Sequence, residues 1–262
     1  MNIYINEESI LHIETLIVGL PEHINQLREI KYNNQSINEQ LETLKQHHII
    51  GSSVGKISST MFYTNNQPKR LLTVGLGNLK DLSYQRLLKV WGHTFQFLKQ
   101  EHINEAEVLL DTFISKYNDS IEVAKTFGLQ SNQSIYQFDN YKSDKKAPYQ
   151  PNIYVQTEFD KVNSAIYEGQ QLGKSINLAR ELSQMPPNIL TPQYFAEEID
   201  NHFKESGVSV HIKDAETLVS EGFGLLHAVG KGSVNGPRLI TMTYNGGKAN
   251  DAPIALVGKG IT

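Results

Sequence analysis

The chain has no cysteine, which removes disulfides, thiolate metal ligands, a cysteine nucleophile and a thiol redox switch from consideration. Any metal must therefore be held by oxygen or nitrogen. Positive charge is also scarce. The 24 Lys and Arg stand against 28 Asp and Glu, a formal net charge of -4, so the chain carries no electrostatic footprint for nucleic acid or an anionic membrane. Long apolar runs are missing as well. No stretch approaches the roughly 18 to 20 apolar residues of a spanning helix. The start of the chain, MNIYINEESI, lacks a basic segment followed by an apolar one and so does not read as a secretion signal. Together these absences point to a soluble, cytoplasmic protein that acts on a small molecule or a peptide, with no nucleic-acid or membrane partner.

What is present is an alternation of short apolar runs and amphipathic stretches. At 262 residues the chain exceeds what one modest core needs, which predicts two domains, or one complete and one partial. Leu11 to Leu20, Arg70 to Val74 and Ala106 to Asp111 read as strands. Ser83 to Gln100 reads as a helix with Leu87, Leu88, Val90, Trp91, Phe95 and Leu98 on its apolar face. Such alternation predicts an α/β fold with a mostly parallel, helix-covered sheet. Residues 140–152, NYKSDKKAPYQPN, are polar with two prolines and read as a crossing between domains. That puts one domain at 1–155 and a second at 156–262. The second opens with a long helix over Lys161 to Gln184, its apolar faces supplied by Ile166, Leu172, Ile176, Leu178, Ala179 and Leu182, and stopped by Pro186-Pro187. A further helix follows Thr191-Pro192, with the threonine as cap and Tyr194, Phe195, Ile199 and Phe203 as the buried face. Strands at Val208 to Ile212, Arg238 to Tyr244 and Ile254 to Val257 then give a second, unfinished sheet.

Several motifs have ordinary explanations. Gly51 to Gly55 (GSSVG) matches the nucleophile-elbow pattern, but the elbow needs a strand before it and a helix after it. The β-branched and aromatic run from Lys56 to Thr64 is strand chemistry, so the segment reads as a tight loop between two strands. Val74 to Asn78 (VGLGN) resembles part of a dinucleotide fingerprint, yet Lys80 occupies the third glycine position, which favours a close strand-to-helix turn. No H-E-x-x-H occurs among the nine histidines. His47 and His48, read as neighbours on a strand, point to opposite faces, and His12, His93, His202, His211 and His227 are isolated. Gly230 to Ser233 and Gly258 to Gly260 lack the rest of a P-loop.

Three segments taken in order carry a stronger signal: Asn177 to Pro192 (NLARELSQMPPNILTP), Gly222 to Ser233 (GFGLLHAVGKGS) leading to Pro237 to Ile240, and Leu256 to Thr262 (LVGKGIT). As an ordered set they resemble the leucyl aminopeptidase (cytosol aminopeptidase) family of metallopeptidases. The match is strong over Ala165 to Thr262 and faint earlier, where Val74 to Gly77 and Tyr136 to Lys142 are the family-like fragments. Glu181 departs from the aspartate usual in the family. The resemblance implies an N-terminal α/β domain resembling macro domains, followed by the incomplete start of an α/β aminopeptidase catalytic domain. It further implies two divalent metal ions, Mn or Zn, in the complete enzyme, a hexamer, and peptide substrates with a free N-terminus. It makes Lys259 a metal ligand. The family's remaining ligands, catalytic lysine and arginine would follow Thr262, so no catalytic residue falls within this chain.

A lysine ligates a metal only as the neutral amine, and bringing an amine from about 10.4 to near 7 costs roughly 4 to 5 kcal/mol. Neighbouring cations and an apolar strand end supply such a shift. Without the carboxylates that hold the cations, the expectation is an empty site and an inactive chain, either a fragment of a longer enzyme or a shortened product. One rival reading is a non-catalytic oligomerisation or ligand-binding module; another is a nucleotide-derivative binder through Gly75 to Gly77. An uncovered second sheet predicts self-association.

Overall fold

The computed structural model describes residues 1–7, 13–26, 29–32, 35–64, 67–145, 147–248 and 250–261. The expectations that fall on Leu11, His12 and Thr262 lie outside these residues. The chain divides into two compact units, Met1–Ala179 and Arg180–Thr262.

The first unit is built from β1 (Asn2–Ile5), β2 (Thr15–Pro21), β3 (Lys31–Tyr32), β4 (Gln35–Ser36), α1 (Asn38–Gln46), β5 (Ile57–Thr64), β6 (Gln67–Gly77), α2 (Tyr84–Gln100), β7 (Glu105–Leu109), α3 (Ser120–Gln133), β8 (Asn152–Gln156) and most of α4 (Val162–Gln184). Six strands form one sheet in the order β1-β8-β7-β2-β6-β5. All neighbours are parallel except β5 against β6. The central strand β2 is buried along its whole length, as a strand covered on both faces must be. Its alternate side chains serve two cores. Leu16, Val18 and Leu20 join Leu41 of α1, Ile50 and Phe62 on one face, while Ile17 joins α2 and α3 on the other. On that second face Trp91 lies 4.2 Å, centroid to centroid, from Phe113 and 4.9 Å from Phe127.

The helix read at Ser83 to Gln100 forms over Tyr84–Gln100, and of its expected apolar positions only Leu88 escapes full burial. The long α4 forms as expected, but its buried stripe is different. Val162, Ala165, Ile166, Gly169 and Gly173 are buried, whereas Leu172 and Ala179 are exposed. The cause is a close helix contact. A β-carbon at Gly169 would sit 2.1 Å from the Lys125 carbonyl oxygen of α3, and one at Gly128 would sit 2.1 Å from that of Ile166. Bare backbone meets bare backbone there, and the leucines turn away. Residues 140–152 lead into β8, which is inserted between β1 and β7. This polar stretch therefore lies within the first compact unit, Met1–Ala179.

The second unit, taken by itself, contains the end of α4, then α5 (Pro192–Phe203), β9 (Val208–Lys213), α6 (Ala215–Ser220), α7 (Gly224–Gly230) and β10 (Leu239–Tyr244). Thr191 caps α5 as expected, accepting from the Tyr194 backbone N–H at 3.2 Å. The buried residues of α5 are Ala196 and Ile199, and Phe195 is exposed. Strands β9 and β10 pair antiparallel in a two-stranded sheet. The run Ile254 to Val257 is not a strand: it has no regular structure, and no strand partner lies beside it among the described residues.

Candidate functional site

The two glycine motifs, far apart in sequence, meet in space. Gly51 to Gly55 forms a loop from α1 into β5, so the element before it is a helix, while the expected strand follows it. The helix formers of NEQLETLKQ, with Leu41 buried, explain the difference. This loop lies on the end of β6. The Gly75 N–H donates to the Lys56 carbonyl at 2.8 Å, the Gly77 N–H to that of Ser52 at 2.7 Å, and the Gly55 N–H to that of Gly75 at 2.8 Å. A β-carbon at Gly75 would stand 2.1 Å from the Ser53 carbonyl oxygen, and Gly77 adopts φ +67. The amides that a phosphate would require are already used within the protein, which argues against a nucleotide at this turn.

His47 caps the C-terminus of α1 and His48 follows it with φ 57. The pair occupies a helix end, so the strand geometry read from the sequence does not apply. Among the described residues no group of three or more His, Asp or Glu is arranged to hold a metal.

Lys259, the predicted metal ligand, lies in the irregular segment that contains Ile254 to Val257 and is exposed. Its neighbours Leu256 and Val257 are 95% and 97% exposed, and β-carbons built at Gly258 and Gly260 would meet nothing within 4 Å. One amine on an open segment does not amount to a dimetal donor set, which needs several oxygen or nitrogen ligands converging on each ion. The donors described here do not fit such a centre by themselves.

The strongest electrostatic feature is elsewhere, and the motifs do not reveal it. Lys69 on β6 donates to the Tyr32 hydroxyl at 2.7 Å and to the Ile13 carbonyl at 2.6 Å, and Tyr32 donates to the Glu107 carboxylate at 2.8 Å. All three side chains are buried on the sheet. Burial pushes the Glu107 carboxyl above its ordinary range, opposed by the Tyr32 hydrogen bond and the Lys69 charge. Burial pulls the Lys69 ammonium down, opposed by Glu107 and Glu14, and pushes the Tyr32 phenol up, with the Glu107 charge adding to the effect. The one sequence signal is a glutamate at the centre of the apolar run of β7, since buried carboxylates are rare unless paired. Its partners lie on other strands and leave no local trace.

Comparison with known proteins adds what the geometry alone does not. The profile of the cytosol aminopeptidase family N-terminal domain matches residues 17–145, and that of its catalytic domain matches residues 177–262. A probable cytosol aminopeptidase of Pseudomonas syringae pv. tomato is 36% identical over 221 residues, 81% of this chain and 44% of the relative. One of Exiguobacterium sibiricum is 30% identical over 259 residues, 96% of this chain and 50% of the relative. The chain thus spans about half the length of the curated relatives it matches. Among solved structures, the bottromycin maturation enzyme BotP in complex with Mn aligns with a TM-score of 0.69 at 18% identity, covering 89% of this chain and 45% of BotP. A mutant of tomato leucine aminopeptidase aligns at 0.70 and 18%, covering 92% and 50%. At these identities the structural likeness speaks for the fold alone.

Fold and profile matches together define a peptidase-type α/β protein. More narrowly, the chain belongs to the cytosol aminopeptidase family, and it carries that family's N-terminal domain and the opening part of its catalytic domain.

Proposed function

We propose that this chain contributes to a metal-dependent aminopeptidase that removes N-terminal amino acids from peptides in the cytoplasm, and that the 262-residue chain is inactive by itself. In this reading residues 1–155 are the N-terminal domain, residues 156–262 open the catalytic domain, the complete family enzyme holds two divalent ions, Mn or Zn, and it assembles as a hexamer. Lys259 is the contribution of this chain to metal ligation, and the remaining residues are scaffold. The observation that carries the reading is the pair of ordered family matches over residues 17–145 and 177–262. The manganese complex of BotP, a structural neighbour, supports the ion class. The open surroundings of Lys259 favour inactivity, because one amine on a solvated segment falls short of the several oxygen or nitrogen ligands that each ion needs.

Hydrolysis of a leucine anilide by the purified chain, with manganese and then zinc added, tests this. The expected result is no turnover above the metal-only blank; metal-dependent turnover removed by a chelator overturns the inactivity. Sequencing the coding frame beyond Thr262 separates a catalytic from a non-catalytic role. A frame continuing into carboxylate-bearing segments supports the enzyme, and a stop codon supports a binding or oligomerisation module. That second reading draws on one observation: residues Met1–Ala179 form a sheet covered on both faces with its own core.

A further inference from the structure

The six-stranded sheet of the first unit ends on two unlike edges. At one end β1 is four residues long, and the Asn6 side chain just after it donates to the Thr157 carbonyl and accepts from the Thr157 N–H, both at 2.9 Å. At the other end β5 runs for eight residues, pairs with β6 on one side, and has no described strand on the other. Which of its groups point outward follows from the ladder. The Gly75 N–H donates to the Lys56 carbonyl at 2.8 Å, and this pair continues the β5–β6 register. Bonded pairs alternate in an antiparallel ladder. Ser58, Thr60, Phe62 and Thr64 therefore turn their backbone groups toward β6, and Ile57, Ser59, Met61 and Tyr63 turn theirs outward.

Exposed edges of this length are normally guarded by lysine, proline or an inward charge, and the ISSTMFYT of β5 contains none of these. The nearest cations on β6 are engaged elsewhere. Lys69, opposite Phe62, is buried in its cluster with Tyr32 and Glu107, and Arg70, opposite Met61, donates to the Ser59 hydroxyl and the Glu101 carboxylate, both at 2.9 Å. Met61 and Tyr63 are 55% and 66% exposed, and a groove of about 500 Å³ separates this strand from Glu39, Gln40, Thr43 and Leu44 of α1. The strand is complementary to itself. Turned antiparallel about Thr60, a second β5 sets the Tyr63 of each copy beside the Ile57 of the other, and Thr60 beside Thr60. Aromatic with β-branched and threonine with threonine are both favoured cross-strand pairs. No like charges meet in this register, and its bonded pairs fall on the four residues whose groups point outward. A shift of one residue sets outward groups against inward ones and loses the ladder. A shift of two sets Tyr63 beside Ser59 and gives up the threonine pair.

We propose that two copies of this chain join along β5 about a two-fold axis at Thr60, which makes one continuous sheet of their two six-stranded sheets. Such an isologous contact closes on itself and covers the edge in both copies. It involves the first unit alone and is independent of the aminopeptidase reading.

Sedimentation equilibrium of the 262-residue chain tests it, with Leu256→Ser and Val257→Ser introduced so that the exposed run of the second unit does not contribute. The expected mass is twice the 29.5 kDa of the chain. Met61→Lys in that background is expected to weaken association by about ten-fold or more, since an edge lysine opposes pairing and each substitution acts twice across a two-fold axis. The absence of cysteine makes an introduced disulfide a clean reporter of register. Thr60→Cys meets its own copy at a non-bonded position, where Cα atoms stand about 4.5 Å apart, within the span of a disulfide. Tyr63→Cys lies six residues out of register with its copy, about 20 Å away. Mild oxidation is therefore expected to cross-link Thr60→Cys and to spare Tyr63→Cys. Circular dichroism and thermal unfolding establish that each variant is folded. A monomeric mass overturns the proposal. So does a folded Met61→Lys that associates like its parent, a Thr60→Cys that resists cross-linking, or a Tyr63→Cys that cross-links as fast.

Discussion

Apolar residues behave differently in the two halves of this chain. In residues 1–179, Trp91, Phe95, Phe113 and Phe127 are wholly enclosed, because helices on each face of the sheet give every inward side chain a second layer to meet. In residues 180–262, Ala196, Ile199 and Leu218 are buried, while Ile254, Leu256 and Val257 are at least 90% exposed. The two regions do not differ in the kind of apolar residue they carry. They differ in whether an opposing layer exists, which is what turns hydropathy into a core.

The contrast is broken most severely by Trp91→Ala. This change deletes a side chain with aromatic contacts to Phe95, Phe113 and Phe127, and urea unfolding is expected to show a loss of about 3–5 kcal/mol. Next comes Gly169→Ala. Alanine gains about 1 kcal/mol of helix propensity over glycine, but here its methyl would meet backbone atoms at 2.1 and 2.8 Å, and overpacking costs roughly 1–3 kcal/mol. Steric cost wins, so the melting temperature is expected to fall. Leucine substituted at the same position should fall further, which separates crowding from propensity.

A smaller, pH-dependent effect is expected of Glu107→Gln. A carboxyl raised by folding contributes stability that is full below its unfolded value and is lost as pH rises through the folded one. Glutamine lacks this loss. Measured by urea unfolding between pH 4 and pH 7, the difference between parent and variant should therefore move toward the variant as pH rises; a shift in the opposite direction would refute the assignment. Least of all, Leu256→Ser and Val257→Ser should change unfolding by less than about 0.5 kcal/mol, as surface changes do. Yet they should reduce self-association in sizing chromatography, since exposed apolar runs drive contact between copies. A monodisperse, monomeric parent chain would remove the reason for that expectation.

Sequence reading succeeds wherever one periodic signal suffices. Helix α2 announces itself by its apolar spacing, β2 by an unbroken apolar run, and α5 by its Thr-Pro start. The failures share a cause. Ile254 to Val257 has the composition of a buried strand, but strand formation requires a neighbour to accept its hydrogen bonds, and no window of sequence reports one. In α4 the contact surface is written in Gly169 and Gly173, which add nothing to a hydropathy pattern, so hydropathy alone points Leu172 inward. Residues 140–152 carry the composition of a linker and lead into β8, which lies between β1 and β7 in the sheet of the first unit. At the candidate sites, Lys259 is proposed from motif order alone, whereas the cavity lined by Asn25, Leu79, Tyr117 and Phe159 depends on loops brought together by strand order. The Lys69, Tyr32 and Glu107 cluster joins three strands and is just as hidden.

The enclosure of Tyr32 also gives the protein a built-in optical reporter. Solvated tyrosines become tyrosinates on mild alkaline titration and absorb at longer wavelength, whereas Tyr32, its hydroxyl directed at a buried carboxylate, keeps its proton far longer. Tyr149 and Tyr154 are pushed up as well, so the part of the late absorbance step that Tyr32→Phe removes would time the opening of the sheet around Tyr32, without any attached dye.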